Sequence, residues 1–178
     1  MMPKACLMIG LLGLIAAGPA LAGATDDPVA EVMAVTVNNW SPEAAVQEDL
    51  FSPDRLKRLF SRDFNARFEK AVAVSGVGDG GSPFDYDVVV NAQDGCPLED
   101  LTISPPLVTG GTTVETARFR FMACIGAEPA YQAFSETRFL LVDEGGHLKI
   151  DDIIAISPDG QSLSARAQLD LMAEDGAK

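Results

Sequence analysis

The chain has 178 residues, with 26 acidic side chains against 13 lysine or arginine residues, and its net charge at neutral pH is −13. This excess of negative charge argues against nucleic acid and against anionic membrane surfaces as partners. The single histidine, His147, argues against a histidine-based triad or metal cluster. We therefore expect neither a metal nor a cofactor.

The first 22 residues have the pattern of a secretory signal peptide. Residues 1–4 form a short basic segment, residues 5–18 are apolar, and Ala20-Leu21-Ala22 is an A-x-A cleavage site. The apolar run is too short and too rich in small residues for a stable membrane span. We predict cleavage between Ala22 and Gly23, and a mature chain that is periplasmic or secreted with no membrane span. The alternative is an uncleaved N-terminal anchor.

Two helical stretches follow the predicted signal peptide. Asp27 and Pro28 are an N-cap and a first helical residue. The next apolar positions have helical spacing and predict one buried stripe, made of Val29, Val32, Met33, Thr36, Val37 and Trp40. Residues 42–49 predict at most a short helix, and residues 53–72 predict a longer one. The apolar side of the longer helix comprises Leu56, Leu59, Phe60, Phe64 and Phe68.

Residues 75–83 are rich in glycine and predict a loop. Residues 76–81 match the G-x-G-x-x-G pattern of dinucleotide-binding proteins. The Ser82-Pro83-Phe84 sequence follows in place of the helix that such a site requires, so we expect no nucleotide cofactor.

Four segments in the second half of the chain alternate apolar and polar residues with the period of a β-strand. They are residues 98–103, 114–125, 133–142 and 147–156, and two glycines at 145 and 146 form the last turn. Antiparallel pairing that places Phe119 opposite Phe139, and Phe139 opposite Ile150, gives one apolar face. That face comprises Ala117, Phe119, Phe121, Phe139, Leu141, Leu148, Ile150 and Ile154. The opposite face is polar, and the sheet offers a surface for a homodimer.

The pairing of the first two strands also predicts a disulfide. Cys96 and Cys124 are the two cysteines left after signal cleavage, in a compartment that we expect to be oxidising. One register of the two strands brings together apolar, oppositely charged and thiol side chains. Its pairs are Leu101 with Phe119, Ile103 with Ala117, Asp100 with Arg120, and Cys96 with Cys124. The alternative is a pair of reduced, partly buried thiols.

The most distinctive polar segment lies between the helices and the sheet, at residues 84–94. An apolar run, residues 88–90, anchors it between two sets of polar side chains. Tyr86, Asp87, Gln93 and Asp94 are our candidate ligand-binding residues. The alternative is that the acids only cap a turn or accept backbone N–H bonds.

Asp152 is the fifth candidate. The predicted alternation places it on the apolar face between Ile150 and Ile154, where burial disfavours the charged form. It is therefore either a pocket residue or an acid that bonds backbone amides at a helix N-terminus.

These segments carry a resemblance to a known family. The motifs D-[YF]-D and A-Q-D lie at residues 85–87 and 92–94, and Gly-Gly-x-x-Lys-Ile-Asp-Asp-Ile lies at residues 145–153. Over residues 29–156 the chain resembles a family of small secreted bacterial proteins of unknown function. That family is similar to the nuclear transport factor 2-like cone fold. The resemblance implies an α+β fold, with N-terminal helices on a curved four-stranded antiparallel sheet around a pocket. It implies no activity.

Together these features predict one α+β domain at residues 23–166, followed by a polar, frayed tail at residues 167–178. The usual catalytic signatures are absent from the sequence. The sequence therefore favours a non-enzymatic exported protein that binds a small ligand or a protein partner; an inhibitor of that partner is one version. The alternative is a cone-fold lyase or isomerase that uses Asp152 as its general base.

Overall fold

Six strands form one curved antiparallel sheet, and four helices accompany it in the part of the chain that the structure describes. The structure is a computed structural model that describes residues 27–78 and 81–176, so the predicted signal peptide lies outside the described residues. The helices are α1 (Pro28–Asn39), α2 (Pro53–Leu59), α3 (Arg62–Ser75) and α4 (Ala165–Asp175). The strands are β1 (Glu99–Ile103), β2 (Leu107–Thr109), β3 (Thr112–Arg120), β4 (Phe134–Asp143), β5 (Leu148–Ile156) and β6 (Ser162–Ser164). None of these helices is long and apolar enough to cross a membrane.

The sheet order is β1-β3-β4-β5-β6, and β2 also pairs with β3. The α+β class and the four predicted strands are confirmed, but the count of four is wrong because β2 and β6 complete the sheet. Each of these strands has three residues, which is too short for a period of two to be visible.

The predicted register of β1 on β3 is confirmed at Ile103, which lies opposite Ala117. A bulge between Glu99 and Thr102 then places Glu99 opposite Arg120, while the Asp100 side chain still forms an ion pair with Arg120. Beyond the bulge, Cys96 and Cys124 lie at disulfide distance, with Cα atoms 5.7 Å apart. The predicted cysteine pair is confirmed.

The two other predicted registers are wrong. Phe119 lies opposite Ser135 and not Phe139, because β3 ends at Arg120, five residues before the end of the predicted strand, and a longer loop leads to β4. Leu141 lies opposite Ile150 and not Leu148. Both shifts are by an even number of residues, so most side chains keep their predicted face. The buried members of that face include Ala117, Phe119, Phe121, Phe139, Leu141 and Ile150.

A bulge in β5 changes the face of the residues that follow it. Phe139 lies opposite Ile153 and Leu140 lies opposite Asp152, so Asp151 has no partner on β4. The extra residue reverses the alternation. Ile153 is therefore fully buried, and the predicted core residue Ile154 is only partly buried.

Helix α1 begins as predicted, with the Asp27 carboxylate accepting the Val29 and Ala30 N–H groups at 3.0 and 3.2 Å. Its buried stripe contains Val35 in place of the predicted Val37, which is exposed. Residues 42–49 form turns and no helix.

The helix predicted over residues 53–72 is divided into α2 and α3 at Phe60 and Ser61. Phe60 bridges to Ile150, and the Ser61 N–H donates to the Ile150 carbonyl at 2.8 Å. The Ser61 hydroxyl then caps α3 by accepting the Phe64 N–H at 2.9 Å. The backbone of β5, which β6 leaves open at this point, therefore interrupts the helix.

Helix α4 extends from Ala165 to Asp175 and so includes most of the segment predicted as a frayed tail, residues 167–178. The Ser164 hydroxyl accepts the Ala167 N–H at 3.0 Å and caps α4. Ala165 and Leu169 are buried, and Asp170 forms an ion pair with Arg67 of α3. The predicted tail is wrong because apolar residues at helical spacing give these residues a face that packs on α3 and β5.

Candidate ligand-binding site

A cavity of about 420 Å³ lies between the end of α1, the loop before α2, and residues 82–93, which include most of the polar segment. Four aromatic residues line it, namely Trp40, Phe51, Phe84 and Tyr86. Four acids also line it, namely Glu48, Asp49, Asp85 and Asp87. We call it the Trp40 cavity.

The polar segment folds into a turn that the Asp87 side chain organises. Asp87 and Ala92 exchange two backbone hydrogen bonds at 3.0 and 3.3 Å, and Asn91 has a φ of 53°. Asparagine and aspartate are the side chains that most readily form such turns. The Asp87 carboxylate accepts the Val89 N–H at 2.8 Å. Val89 is fully buried, and its carbonyl accepts the Thr137 hydroxyl at 2.6 Å, so the turn is fixed to β4.

Trp40 forms one wall of the cavity and is held from two sides. Its indole Nε1 donates to the Asp87 carboxylate at 2.9 Å. Its ring packs edge-on against Phe121, with centroids 4.7 Å apart. A Cβ at Gly95 would overlap the Phe121 ring, and the Cys96 N–H donates to the Phe121 carbonyl at 3.1 Å. The cysteine pair therefore braces Trp40 through Phe121.

Tyr86 supplies a polar group that the fold does not use. Its ring packs edge-on against Phe84, with centroids 5.9 Å apart. Its hydroxyl is buried and has no hydrogen-bond partner among the described residues. Burial, and secondarily the Asp85 charge, raises the pKa of Tyr86, so the hydroxyl stays protonated at neutral pH. A buried hydroxyl without a partner costs about 1–3 kcal/mol, which a bonded ligand would recover.

A second, polar cavity of about 300 Å³ adjoins the first. It shares Asn39, Trp40, Asp87 and Gln93 with the Trp40 cavity and adds Gln47. The Gln93 amide donates to the Asp85 carbonyl at 2.9 Å, and the Gln47 amide donates to the Asn39 carbonyl at 2.9 Å. Amide groups fixed in this way can hydrogen-bond the polar part of a ligand.

Three of the five predicted ligand-binding residues, Tyr86, Asp87 and Gln93, therefore line one cavity. Asp94 is exposed and lines a separate cavity of about 200 Å³ beside Phe121. Asp152 lines none of the cavities described in this section.

Asp152 lies at the N-terminus of α4. One carboxylate oxygen accepts the Ser164 hydroxyl at 2.7 Å, and the other accepts the Arg166 N–H at 3.0 Å. Burial raises the pKa of Asp152, although both hydrogen bonds oppose the shift. The contacts are those of an acid that joins a strand to a helix N-terminus.

Asp151, the extra residue of the bulge, joins the start of α3 to β5 and makes a further contact with the start of α4. Its carboxylate accepts the Ser61 hydroxyl of the α3 cap at 2.6 Å and forms an ion pair with Arg166 of α4. Together Asp151 and Asp152 make what we call the acid bulge, in which each carboxylate oxygen has a partner.

Sequence reasoning did not identify two important residues. Trp40 was assigned only to the buried stripe of α1, although it is the one tryptophan of the chain. Glu115 is 2% exposed and shares a face of β3 with Ala117 and Phe119, which the period of two already indicates. Burial and the neighbouring Asp27 carboxylate raise the pKa of Glu115 to about 7.

A larger, more apolar cleft of about 600 Å³ lies along α2 and α3, lined in part by Leu56, Phe60, Phe68 and Val72. Phe51 lines both this cleft and the Trp40 cavity. The cleft contains none of the predicted ligand-binding residues.

Among the residues that the structure describes, no three His, Cys, Asp or Glu side chains are arranged to hold a metal ion. Comparison of the chain with protein-family models, with curated proteins and with solved structures finds no match.

Proposed function

We propose that this is an exported, non-enzymatic binding protein that holds a small ligand in the Trp40 cavity. The observation that carries the proposal is the buried, unpartnered hydroxyl of Tyr86, a residue that lines the same cavity as an indole fixed by Asp87. Folded proteins rarely leave a buried polar atom unbonded. Concave aromatic sites with a few convergent polar groups are the usual form of small-molecule sites.

Export is supported by the signal-peptide pattern of residues 1–22 and by the cysteine pair at disulfide distance. For the fold, we propose a variant of the nuclear transport factor 2-like cone. Helices on one face of a curved antiparallel sheet support this assignment, and the two additional short strands are its departures from the four-stranded form.

The lyase or isomerase alternative depends on Asp152 as a general base in a pocket. Both of its oxygens are occupied by Ser164 and Arg166, and it lines no cavity described above. A base must reach the proton that it removes. No contact at Asp152 favours this alternative over the binding function.

Native mass spectrometry of the protein isolated from periplasm tests the proposal. We expect a chain that begins at Gly23, with the two cysteines oxidised and a small molecule bound. A stoichiometric protein partner in place of that molecule would favour the inhibitor version. Recovery of the chain only from cytoplasm, with Met1 intact, would contradict the proposed export.

Fluorescence locates the ligand, because Trp40 is the only tryptophan. We expect the ultrafiltered small-molecule fraction of a periplasmic extract to change the emission of Trp40, and Tyr86→Phe to weaken that change. Binding that survives a bulky Val72→Phe substitution in the α2–α3 cleft, which keeps Trp40 as the only tryptophan, would exclude that cleft. Binding that is lost in the Val72 variant but retained in Tyr86→Phe would overturn the assignment to the Trp40 cavity.

A further inference from the structure

The charges on the wall of the Trp40 cavity all have one sign. Glu48, Asp49, Asp85 and Asp87 line it, and no lysine, arginine or histidine is found among its described lining residues. These acids lie on two separate segments that both line the cavity, the loop before α2 and the polar turn. An anionic ligand would be repelled here, and a cation would be attracted.

Three of the four carboxylates have no cationic partner among the described residues. Glu48 forms an ion pair with Arg55. The Asp49 carboxylate accepts the Phe51 backbone N–H at 2.9 Å. The Asp87 carboxylate accepts the Trp40 indole N–H and the Val89 backbone N–H. These neutral donors orient the carboxylates but leave their charge uncompensated.

Aromatic rings supply the remainder of the wall. Phe51 and Phe84 are buried with centroids 5.6 Å apart, while Trp40 and Tyr86 are partly exposed. The faces of such rings attract ammonium groups, and tryptophan attracts them most strongly. Aromatic walls combined with uncompensated carboxylates match a cation that also carries apolar surface.

We propose that the ligand of the Trp40 cavity is a small organic cation, an amine or a quaternary ammonium compound. This inference rests on the proposed function, because it assigns a ligand class to the same cavity. The ammonium group lies against Trp40 and Tyr86, and the adjoining cavity, with Gln47 and Gln93, takes the polar end of the molecule.

Calorimetric titration of the purified protein with four probes tests the ligand class. The probes are choline, its uncharged carbon isostere neohexanol, the diamine cadaverine and the dianion glutarate. We expect at least one cation to bind about tenfold or more tightly than neohexanol, with no binding of glutarate. Added salt should weaken the binding of the cation and leave the binding of neohexanol unchanged.

A matched pair of variants links the effect to the cavity. Asp85→Asn removes a charge from the lining, and Asp94→Asn removes the same charge nearby on the chain but outside the cavity. Both side chains are exposed, so neither change should disturb the fold. We expect about threefold weaker cation binding in Asp85→Asn, and unchanged binding in Asp94→Asn. Equal losses of cation binding in both variants would overturn the proposal. They would show that the cation responds only to the overall charge of the protein.

The outcomes separate this inference from the proposed function. Binding of neohexanol or glutarate at least as tight as that of the cations, with a change in Trp40 emission, would overturn the cation assignment and keep the binding function. If neither the probes nor the periplasmic fraction changed Trp40 emission, both proposals would fail.

Discussion

The acid bulge and the Trp40 cavity both contain carboxylates beside buried surface, but their hydrogen bonds are distributed differently. At the bulge, the carboxylates of Asp151 and Asp152 accept from two serine hydroxyls, one backbone N–H and one arginine. At the cavity, the Tyr86 hydroxyl has no partner among the described residues. The three aspartates that line the cavity, Asp49, Asp85 and Asp87, form no ion pair with any lysine or arginine that the structure describes.

The difference distinguishes structural acids from candidate binding groups better than burial does. Asp152 is the more buried acid and drew attention in the sequence for that reason, yet its contacts hold α4 on β5. The cavity acids are less buried, and their charges remain available to a ligand. We therefore expect substitutions at the bulge to reduce stability, and substitutions at the cavity to reduce binding.

The largest effect on stability should come from the Cys96–Cys124 pair, which supports the Trp40 cavity through Phe121. Replacing both Cys96 and Cys124 by serine should lower the free energy of unfolding by about 3–4 kcal/mol, on the chain-entropy model for a loop of 28 residues. Urea titration measures the loss. Because this pair supports Trp40 through Phe121, ligand binding should also weaken. Unchanged stability on reduction would show that the bond does not constrain the chain.

The second-largest loss of stability should come from a substitution in the acid bulge. Asp152→Ala leaves the Ser164 hydroxyl and the Arg166 N–H without their acceptor, so we expect a loss of about 2–3 kcal/mol in unfolding free energy. Asp94→Ala, at an exposed acid, is the control and should change stability by less than about 0.5 kcal/mol. A stable Asp152→Ala variant that has lost ligand binding would reverse our assignment of the two regions.

Glu115 is a buried acid that belongs to neither region, and its effect should depend on pH. The folded protein holds the Glu115 proton up to about pH 7, whereas the unfolded chain releases it near the ordinary value of 4.5. The wild type therefore loses about 3 kcal/mol of stability as the pH rises through this range.

Glu115→Gln removes this titration and serves as the test. The variant should match the wild type near pH 4 and exceed it in stability by about 3 kcal/mol at pH 8, measured by urea titration. Glu99→Gln on the exposed part of β1 is the control and should show no such divergence. Parallel curves for Glu115→Gln and the wild type would contradict a raised pKa at this site.

Much of the sheet could be predicted because alternation fixes the face of a side chain even when the register is wrong. The shifts at Phe119 and Leu141 were by even numbers of residues, which preserved the core. The bulge at Asp151 could not be predicted, since no local signal shows where an extra residue enters β5. The consequences were the misplaced core residue Ile154 and the predicted alignment of Asp152 with the core residue Ile150.

The candidate site was predictable only where its residues are close in the chain. Tyr86, Asp87 and Gln93 belong to one turn with recognisable turn chemistry. Trp40 and Asp49 reach the same cavity from a helix end and a loop far earlier in the sequence. Only tertiary packing brings these segments together, so no local pattern in the sequence could join them.

The central claim is that the cavity retains an unpartnered group for binding and not for stability. Urea unfolding followed by Trp40 emission, for the wild type and Tyr86→Phe, with and without the periplasmic small-molecule fraction, tests it most directly. Without ligand, Tyr86→Phe should be as stable as the wild type or up to about 1 kcal/mol more stable, because no protein hydrogen bond is lost. With ligand, only the wild type should gain substantial stability. A variant that is less stable by 1 kcal/mol or more, yet is stabilised by the fraction as much as the wild type, would contradict the claim.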